Sequence, residues 1–527
     1  MHLEPPPTAL PATDRRELLR LALASAATVW LPRSARAQTR FETNPFTLGV
    51  ASGSPTATSI VLWTRLALPG LFGSRLGDDP VTVRWELAHD AAFSRPVQSG
   101  QAIASAALAH SIHVEVNGLD PDRWYWYRFM AGDAVSQAGR TRTFPAPDAP
   151  AARLRLAYAS CQRWEHGFYG AYRHMRQEDV DAVVFLGDYI YEYPGALNAA
   201  RLPDGGWVTT LAGYRQRYAL HKSDPDLRAM HAACPWLVTW DDHEVQNDYA
   251  GDTGHDSSTA FSALRSAGFQ AFYEHMPLGA ARLAGPGFAA LQLYRRLAWG
   301  QLAQLHVLDG RQYRHRQACR RADASGAGAV QARQCAELEQ PTRSFLGGAQ
   351  EHWLDAGLAQ DAERGARWSV LAQQTLFSPR HYPSGIQSTD TWDGYPAARE
   401  RLTASIERHT PARTVVLGGD IHQNYVCRVP KKAQELDGPA VASEFCGTSI
   451  SSRSGTTQEK LDAIVRRNPH VLLARCGERG YGIADITPKL WTTRLQVVQD
   501  PMRMDSAVHT LARFVVEPGH PGPIREA

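Results

Sequence analysis

No long basic run interrupts the 527 residues, and 56 Lys and Arg nearly balance 53 Asp and Glu for a net charge of +3. That balance disfavours nucleic acid or an anionic membrane surface as a partner. Past the N-terminal leader no apolar run is long enough to cross a bilayer. No internal repeat is found. The spacing of a Gly-rich phosphate loop with its following Lys is missing, which argues against that mode of nucleotide binding. Ser160 has no G-x-S-x-G turn around it, so it is rejected as a nucleophile. Cysteine is sparse and odd in number, seven in all, so at least one thiol stays free or serves as a ligand. What is present is 43% hydrophobic residues, enough for a large core and more than one domain.

Residues 1–37 read as an address. Arg15 and Arg16 precede an apolar run from Leu18 to Leu31, and Ala35-Arg36-Ala37 offers small residues to a signal peptidase. The run is short for a membrane span. TDRRELLR resembles a twin-arginine export signal, with Asp14 and Glu17 departing from its commonest form. The resemblance implies the twin-arginine translocation machinery as a transient partner and a periplasmic or secreted mature chain without a stable membrane span. A disulfide between Cys319 and Cys335, across an Ala/Gly/Arg-rich insertion from Arg316 to Glu339, suits such an oxidising compartment.

Residues 42–147 read as an all-β sandwich, with strands expected at Ser59 to Leu66, Val81 to Ala88, His113 to Val116 and Arg123 to Met130. Leu119, Pro121 and Tyr125 resemble the tyrosine corner of immunoglobulin or fibronectin type III modules. The stretch Pro145 to Pro150 then reads as a stiff, extended linker. From 151 to 527, short apolar strands alternate with helices, which argues an α/β layered domain. The strands are expected at Leu154 to Ala159, Val180 to Leu186, Leu237 to Thr239, Leu302 to Leu308, Trp368 to Ala372, Thr414 to Leu417 and Tyr481 to Ile486. Helices are expected at Gly167 to Glu178, Ser257 to His275, Gly348 to Gln360 and Ala398 to His409, and Ser451 to Gln458 reads as a mobile or substrate-facing loop.

Four strand ends carry ligand-type residues. AVVFLGDYIYEY delivers Asp188 at a carboxyl end, where open α/β sheets place ligands, with Tyr191 three residues on. A bridging carboxylate and a phenolate suit a ferric ion. AYASCQR places Cys161 just past its strand as a thiolate donor. LVTWDDHEVQND crowds Asp241, Asp242, His243, Glu244, Asn247 and Asp248 together, oxygen donors of the kind that hold calcium, magnesium or manganese. His243 is either a ligand or a proton donor to a leaving oxygen. TVVLGGDIHQNY sets Asp420 and His422 two apart on an extended segment, on one side, after two glycines that let the backbone approach the site.

As an ordered set, SCQ, GDYIYEY, TWDDHEVQND, TWDGYPAAR and GGDIH resemble the alkaline phosphatase D (PhoD-like) branch of the calcineurin-like metallophosphoesterases. The resemblance implies an α/β fold, a double β-sheet sandwich flanked by helices, with an immunoglobulin- or fibronectin-like all-β domain ahead of it. It also implies a site with one ferric ion (Fe3+) and calcium (Ca2+). Cys161, Asp188, Tyr191 and His422 would then hold iron, and Asp188 would bridge to calcium held by Asn247 and Asp420 with Asp242 as an addition. The family places a substrate-contacting Arg where Arg217 stands, with Lys222 nearby, and Trp392, Asp393 and Tyr395 are candidates to line the mouth.

The expected function is an exported, metal-dependent phosphohydrolase that cleaves phosphate monoesters and diesters by attack of a metal-bridging oxo or hydroxide group. One alternative is a purple-acid-type phosphatase with iron and zinc or manganese, which would want a His where Asp420 stands. The other is a catalytically inactive cell-surface binding module.

Overall fold

Leu154, Leu156 and Tyr158 alternate with Ala157 and Ala159 along the strand Leu154–Ala159, and both sets are buried. A strand apolar on both faces belongs in the middle of a covered sheet. The computed structural model describes residues 40–526 apart from 69–75, 196–197, 203–204, 255–258, 284, 286 and 321–325, so the leader expected at 1–37 lies outside the described residues.

Leu154–Ala159 sits in a ten-stranded mixed sheet, parallel to Ala182–Phe185, which in turn runs parallel to Trp236–Val238. A seven-stranded sheet faces it, with Ala303–Val307, Trp368–Ala372, Thr414–Gly418 and Ala440–Cys446 parallel at its centre. Leu154, Leu156, Val184 and Leu237 from the first sheet and Leu305, Val370, Val415 and Phe445 from the second fill the core between them. The outer face of the first sheet, with Ala157, Val183 and Phe185, is covered by Tyr172 and Met175 of helix Gly170–Gln177, Tyr218 of Leu211–Lys222 and Phe272 of Thr259–His275. Leu371 and Val416 on the outer face of the second meet Leu354 of helix Gly348–Glu363 and Leu402 of Pro396–His409. The result is the α/β layering expected from the alternation of elements, in the helix-flanked double-sheet form that the resemblance implied.

The parallel strands Leu154–Ala159, Ala182–Phe185, Trp236–Val238, Ala303–Val307, Trp368–Ala372 and Thr414–Gly418 fall where the hydrophobic pattern put them, to within a few residues, whereas Ala440–Cys446 was not read from the sequence. The antiparallel strands that complete both sheets were not read from the sequence: Trp491–Val498, Val508–Glu517 and His520–Arg525 at one edge, and Arg295–Trp299, Asn424–Pro430 and Val471–Arg475 in the other sheet. Trp491–Val498 and Arg295–Trp299 mix buried and half-buried positions, and Val508–Glu517, His520–Arg525 and Val471–Arg475 are largely half-exposed, a weaker signal than a continuous apolar run. Asn424–Pro430 is mostly buried but carries Asn424 and Arg428 among its apolar residues.

The N-terminal region is a sandwich over its own core, which includes Val50, Leu62, Val114, Trp85, Tyr127 and Phe129. The Tyr125 hydroxyl accepts from Asp120 N at 3.0 Å, the geometry of a tyrosine corner. One of its two sheets does not end at the expected boundary. Val50–Gly53, Ser59–Arg65 and Ser111–Asn117 extend the ten-stranded sheet, with Gly53 in parallel register on Trp236. The seam is polar as well as apolar: Trp63 Nε1 donates to Glu274 O at 3.0 Å and His113 Nδ1 to Leu278 O at 2.9 Å. The segment from Pro145 to Pro150 is not an extended spacer, because Ala149 N closes a turn onto Ala146 O and Ala149 O accepts from Gln301 N, both at 2.9 Å. Cys319 and Cys335 form the expected disulfide, and the other five cysteines are free and buried.

Because three N-terminal strands complete the central sheet, a fragment of residues 151–526 would expose the Trp236–Val238 edge and the face beneath Trp63. We expect it to lack the cooperative thermal unfolding of the longer chain, and a fragment with an unchanged, cooperative melting transition would show the seam to be dispensable.

Candidate metal centre

Every core parallel strand points its carboxyl end at the same edge of the sandwich, and the chain leaves those ends through strained turns. Cys161, Asp188, Asp420 and His422 all have positive φ, at 58°, 57°, 64° and 55°. Non-glycine residues rarely sit there, and they persist where surrounding structure over-determines them. Gly187, at φ 108°, makes the approach to Asp188 possible, since a Cβ there would lie 2.5 Å from Asp241 N. The glycines before Asp420 serve the neighbouring loop more than a ligand: a Cβ on Gly419 would meet Ser160 Oγ at 2.4 Å.

Three sets of side chains place their ligand atoms within 4.8 Å of one another: Cys161, Asp188 and His422; Asp188, Asp242 and His243; and Asp188, Asp241, Asp242 and Asp420. Asp188 belongs to all three. The Tyr191 hydroxyl is 3.0 Å from Asp188 Oδ2 and 3.1 Å from His422 Nε2, so the phenol joins the first set. His422 Nδ1 donates to Arg453 O at 2.9 Å, which leaves Nε2 with its lone pair turned inward. Ser452 Oγ lies 2.8 Å from both Cys161 O and Tyr191 Oη. Ser451 and Ser452 are fully buried, so the start of the loop expected to be mobile or substrate-facing is a support beneath the ligands.

The electrostatics call for cations. Asp188 Oδ1 and Asp241 Oδ2 are buried without a hydrogen-bond partner among the described residues. An unpaired buried carboxylate oxygen is costly unless a cation meets it. Burial pushes the Cys161 thiol and the Tyr191 phenol well above their ordinary ranges, and the Asp188 carboxylate adds to both. Burial likewise lifts Asp420 to about 6 and Asp241 well above the carboxylate range. For Asp242, burial is outweighed by Arg311 and His243, which hold its carboxyl below that range. The donor set therefore fits metal ions: soft and phenolic donors on one side of Asp188, carboxylate oxygens on the other.

A permanent counter-charge inside this cluster is Arg311, which sequence reasoning missed. Its fully buried guanidinium reaches Asp241 Oδ1 at 2.5 Å, Asp242 Oδ1 at 3.4 Å and Asp390 Oδ2 at 2.8 Å. Asp390 also takes Arg314 at 3.1 Å. The signal available was an Arg two residues past Asp309 at the end of an apolar strand, which looks like any surface Arg until its neighbours are known.

His243 Nδ1 donates to Glu192 Oε2 at 2.8 Å, and the other Glu192 oxygen accepts from Asn247 N at 2.7 Å. Burial opposes charge on His243, but Asp242, Asp188 and Glu192 outweigh it and raise its pKa well above the ordinary value. Glu192 thus orients the imidazole and anchors the Asn247 segment. Arg217 is buried, with Nη1 on Tyr191 O and Nη2 on Gly206 O, both at 2.9 Å. Those bonds commit it to holding backbone beside the site. Lys222 is also buried, over the Trp63 ring at 4.3 Å, and burial lowers its pKa to about 7, so it is part of the seam and not a phosphate clamp. Trp392 stacks on Phe345 at 4.2 Å, Asp393 pairs with Arg399 at 2.6 Å, and the Tyr395 hydroxyl donates to His315 O at 2.6 Å. These three are buried packing residues and do not line a mouth. Ser160 is buried and accepts from the Cys161 thiol at 3.1 Å.

The PhoD-like phosphatase family matches residues 156–495, and the N-terminal domain of PhoD-like phosphatases matches residues 32–145. The chain is 40% identical over 494 residues to alkaline phosphatase D of Bacillus subtilis (strain 168), covering 92% of this chain and 82% of that one. A solved structure of PhoD superposes with a TM-score of 0.86 at 39% identity, covering 93% of each chain. With its ligand-type residues converging on Asp188 at the end of a helix-flanked double sheet, the chain belongs to the PhoD-like phosphatases and is a metal-dependent phosphohydrolase.

Proposed function

We propose that the protein is an exported phosphatase that hydrolyses phosphate monoesters and diesters with one ferric ion and calcium. The observation that carries this reading is the position of Asp188, whose carboxylate is common to a Cys161–Tyr191–His422 donor set and to a carboxylate set. Thiolate, phenolate and imidazole would hold iron with Asp188, while Asp188, Asp242, Asn247 and Asp420 would hold calcium. When bound, the metals would supply Lewis acidity, lower the pKa of a water and neutralise charge on the phosphoryl oxygens.

The protein's own groups do the rest. Ser452 and the Arg453 carbonyl fix the orientation of Tyr191, Cys161 and His422. Arg311 offsets part of the carboxylate repulsion before any cation arrives. His243, held by Glu192 through Nδ1 and kept protonated by its carboxylate neighbours, presents Nε2–H as the proton donor to the leaving alkoxide. No protein nucleophile is needed, since Ser160 is enclosed between Cys161 and Gly419. Arg217 acts as a positioning residue behind Tyr191. No helix of the described residues is long and apolar enough to cross a membrane. Export rests on the twin-arginine leader and agrees with the Cys319–Cys335 disulfide.

Elemental analysis of the purified protein should find iron and calcium, with activity lost to EGTA and restored by calcium. Cys161→Ser should lose the visible iron absorbance and more than about 100-fold of activity. Zinc or manganese without calcium dependence, or a Cys161→Ser enzyme with full iron and activity, would sink the assignment. His243→Asn should slow alkyl phosphate hydrolysis by about 100-fold or more, and p-nitrophenyl phosphate far less, because nitrophenolate leaves without a proton. Equal losses on both would remove the proton-donor role. Replacing both Arg15 and Arg16 by Lys should leave the precursor in the cytoplasm of an expressing cell, and normal export of that variant would point to another route.

A further inference from the structure

A ladder of rings leads out of the metal centre to solvent. The Tyr191 ring centroid is 4.2 Å from that of His243, His243 is 5.3 Å from Tyr193, and Tyr193 is 5.5 Å from Trp207 at an interplanar angle of 37°. Trp207 is 60% exposed and is the only aromatic among the exposed large hydrophobic side chains of the described residues. An indole left in water forgoes the burial that most Trp residues gain. Its backbone is nevertheless pinned on both sides. Gly206 O accepts from Arg217 Nη2 at 2.9 Å, and Val208 N donates to Glu192 O at 2.7 Å. Both anchors belong to the site, since Arg217 also holds Tyr191 O and the Glu192 carboxylate orients His243. On the other side of the ladder, the Arg163 guanidinium lies 4.4 Å over the Tyr193 ring. An exposed, preorganised aromatic face one ring beyond Tyr193, on the path from the proton donor to solvent, is what a planar leaving group extending out of the site would stack on, at little cost in ordering.

We propose that Trp207, backed by Tyr193, is a specificity-determining platform for phosphate esters whose leaving group carries a planar aromatic ring, a nucleobase or an aryl group. This rests on the phosphohydrolase reading of the same site. The phosphoryl group sits among the ligands of Asp188, the ester oxygen faces His243, and the ring beyond it stacks on the indole. Aliphatic esters engage the phosphoryl end alone.

The test compares the metal-replete wild type with Trp207→Ala and Trp207→Phe on adenosine 5′-monophosphate and glycerol 3-phosphate. Trp207→Ala should raise KM for the nucleotide about 10-fold, with kcat within about twofold, and move the constants for glycerol 3-phosphate by less than about twofold. Trp207→Phe should recover most of the nucleotide KM. Equilibrium dialysis of adenosine 5′-monophosphate against the same proteins should show the same loss of affinity, read without turnover. Equal changes on both substrates, or no change on the nucleotide, would overturn the platform. If the wild type hydrolyses neither ester, the monoesterase reading of the site fails, and dialysis still decides the stack: binding unaffected by Trp207→Ala rejects it.

Discussion

Carboxylate repulsion at the mouth of the sandwich is the constraint around which the molecule is arranged. Asp188, Asp241, Asp242 and Asp420 bring oxygens within 4.8 Å of one another in a buried place, with Arg311 as the internal cation that touches two of them. Like charges this close in a poorly hydrated site are unfavourable unless cations enter. The strained φ at Asp188 and Asp420, and the missing Cβ at Gly187, hold the arrangement against that repulsion. It persists because packed strands on both sides leave the loops no alternative path.

Two sheets are needed to build it. Cys161, Asp188 and the Asp241–His243 segment leave adjacent parallel strands of one sheet, while Arg311, Asp420 and His422 leave strands of the other. The sheets are tied at this end by Gln374 Nε2, which donates to both Thr239 Oγ1 and Leu308 O at 2.9 Å. The N-terminal strands matter to the same end, since they continue the first sheet past Trp236–Val238 and so stiffen the strand that delivers Asp241 to His243. Residues further out act through these supports: Ser452 under Tyr191, Glu192 behind His243, and Arg217 behind both Tyr191 and the Trp207 turn.

Local information runs out where an element's partners lie far away in the chain. Six of the core strands and four of the helices were legible because each is a run of apolar residues, or a periodic face, bounded by turn residues, while Ala440–Cys446, with Ser443 and Glu444 in its middle, was not. The antiparallel edges were not, because their half-buried alternation is diluted by polar positions such as Arg494 and Gln496, both of which bond Glu178. The Pro-rich segment from 145 to 150 carried the composition of a spacer, yet Gln301 fixes it against a hairpin turn distant in sequence. Ser451 and Ser452 carried the composition of a loop, yet the Ser451 hydroxyl is spent on Arg163 O and the Ser452 hydroxyl on Cys161 O and Tyr191 at the metal centre.

The sequence by itself determined which donor types stand at four strand ends, because a thiol, a phenol, an imidazole and paired carboxylates after apolar runs are local chemical facts. It also determined the Cys319–Cys335 pair and the layered α/β class. Only the tertiary structure decided which charged residues serve that centre. Arg311 and Asp390, separated along the chain, meet beneath the carboxylates, while Lys222 and Asp393, equally basic or acidic on paper, are spent on a Trp63 ring and on Arg399. The reason is physical: a long charged side chain reports nothing locally about its partner, and its role is set by the one counter-charge or ring that burial leaves within its reach.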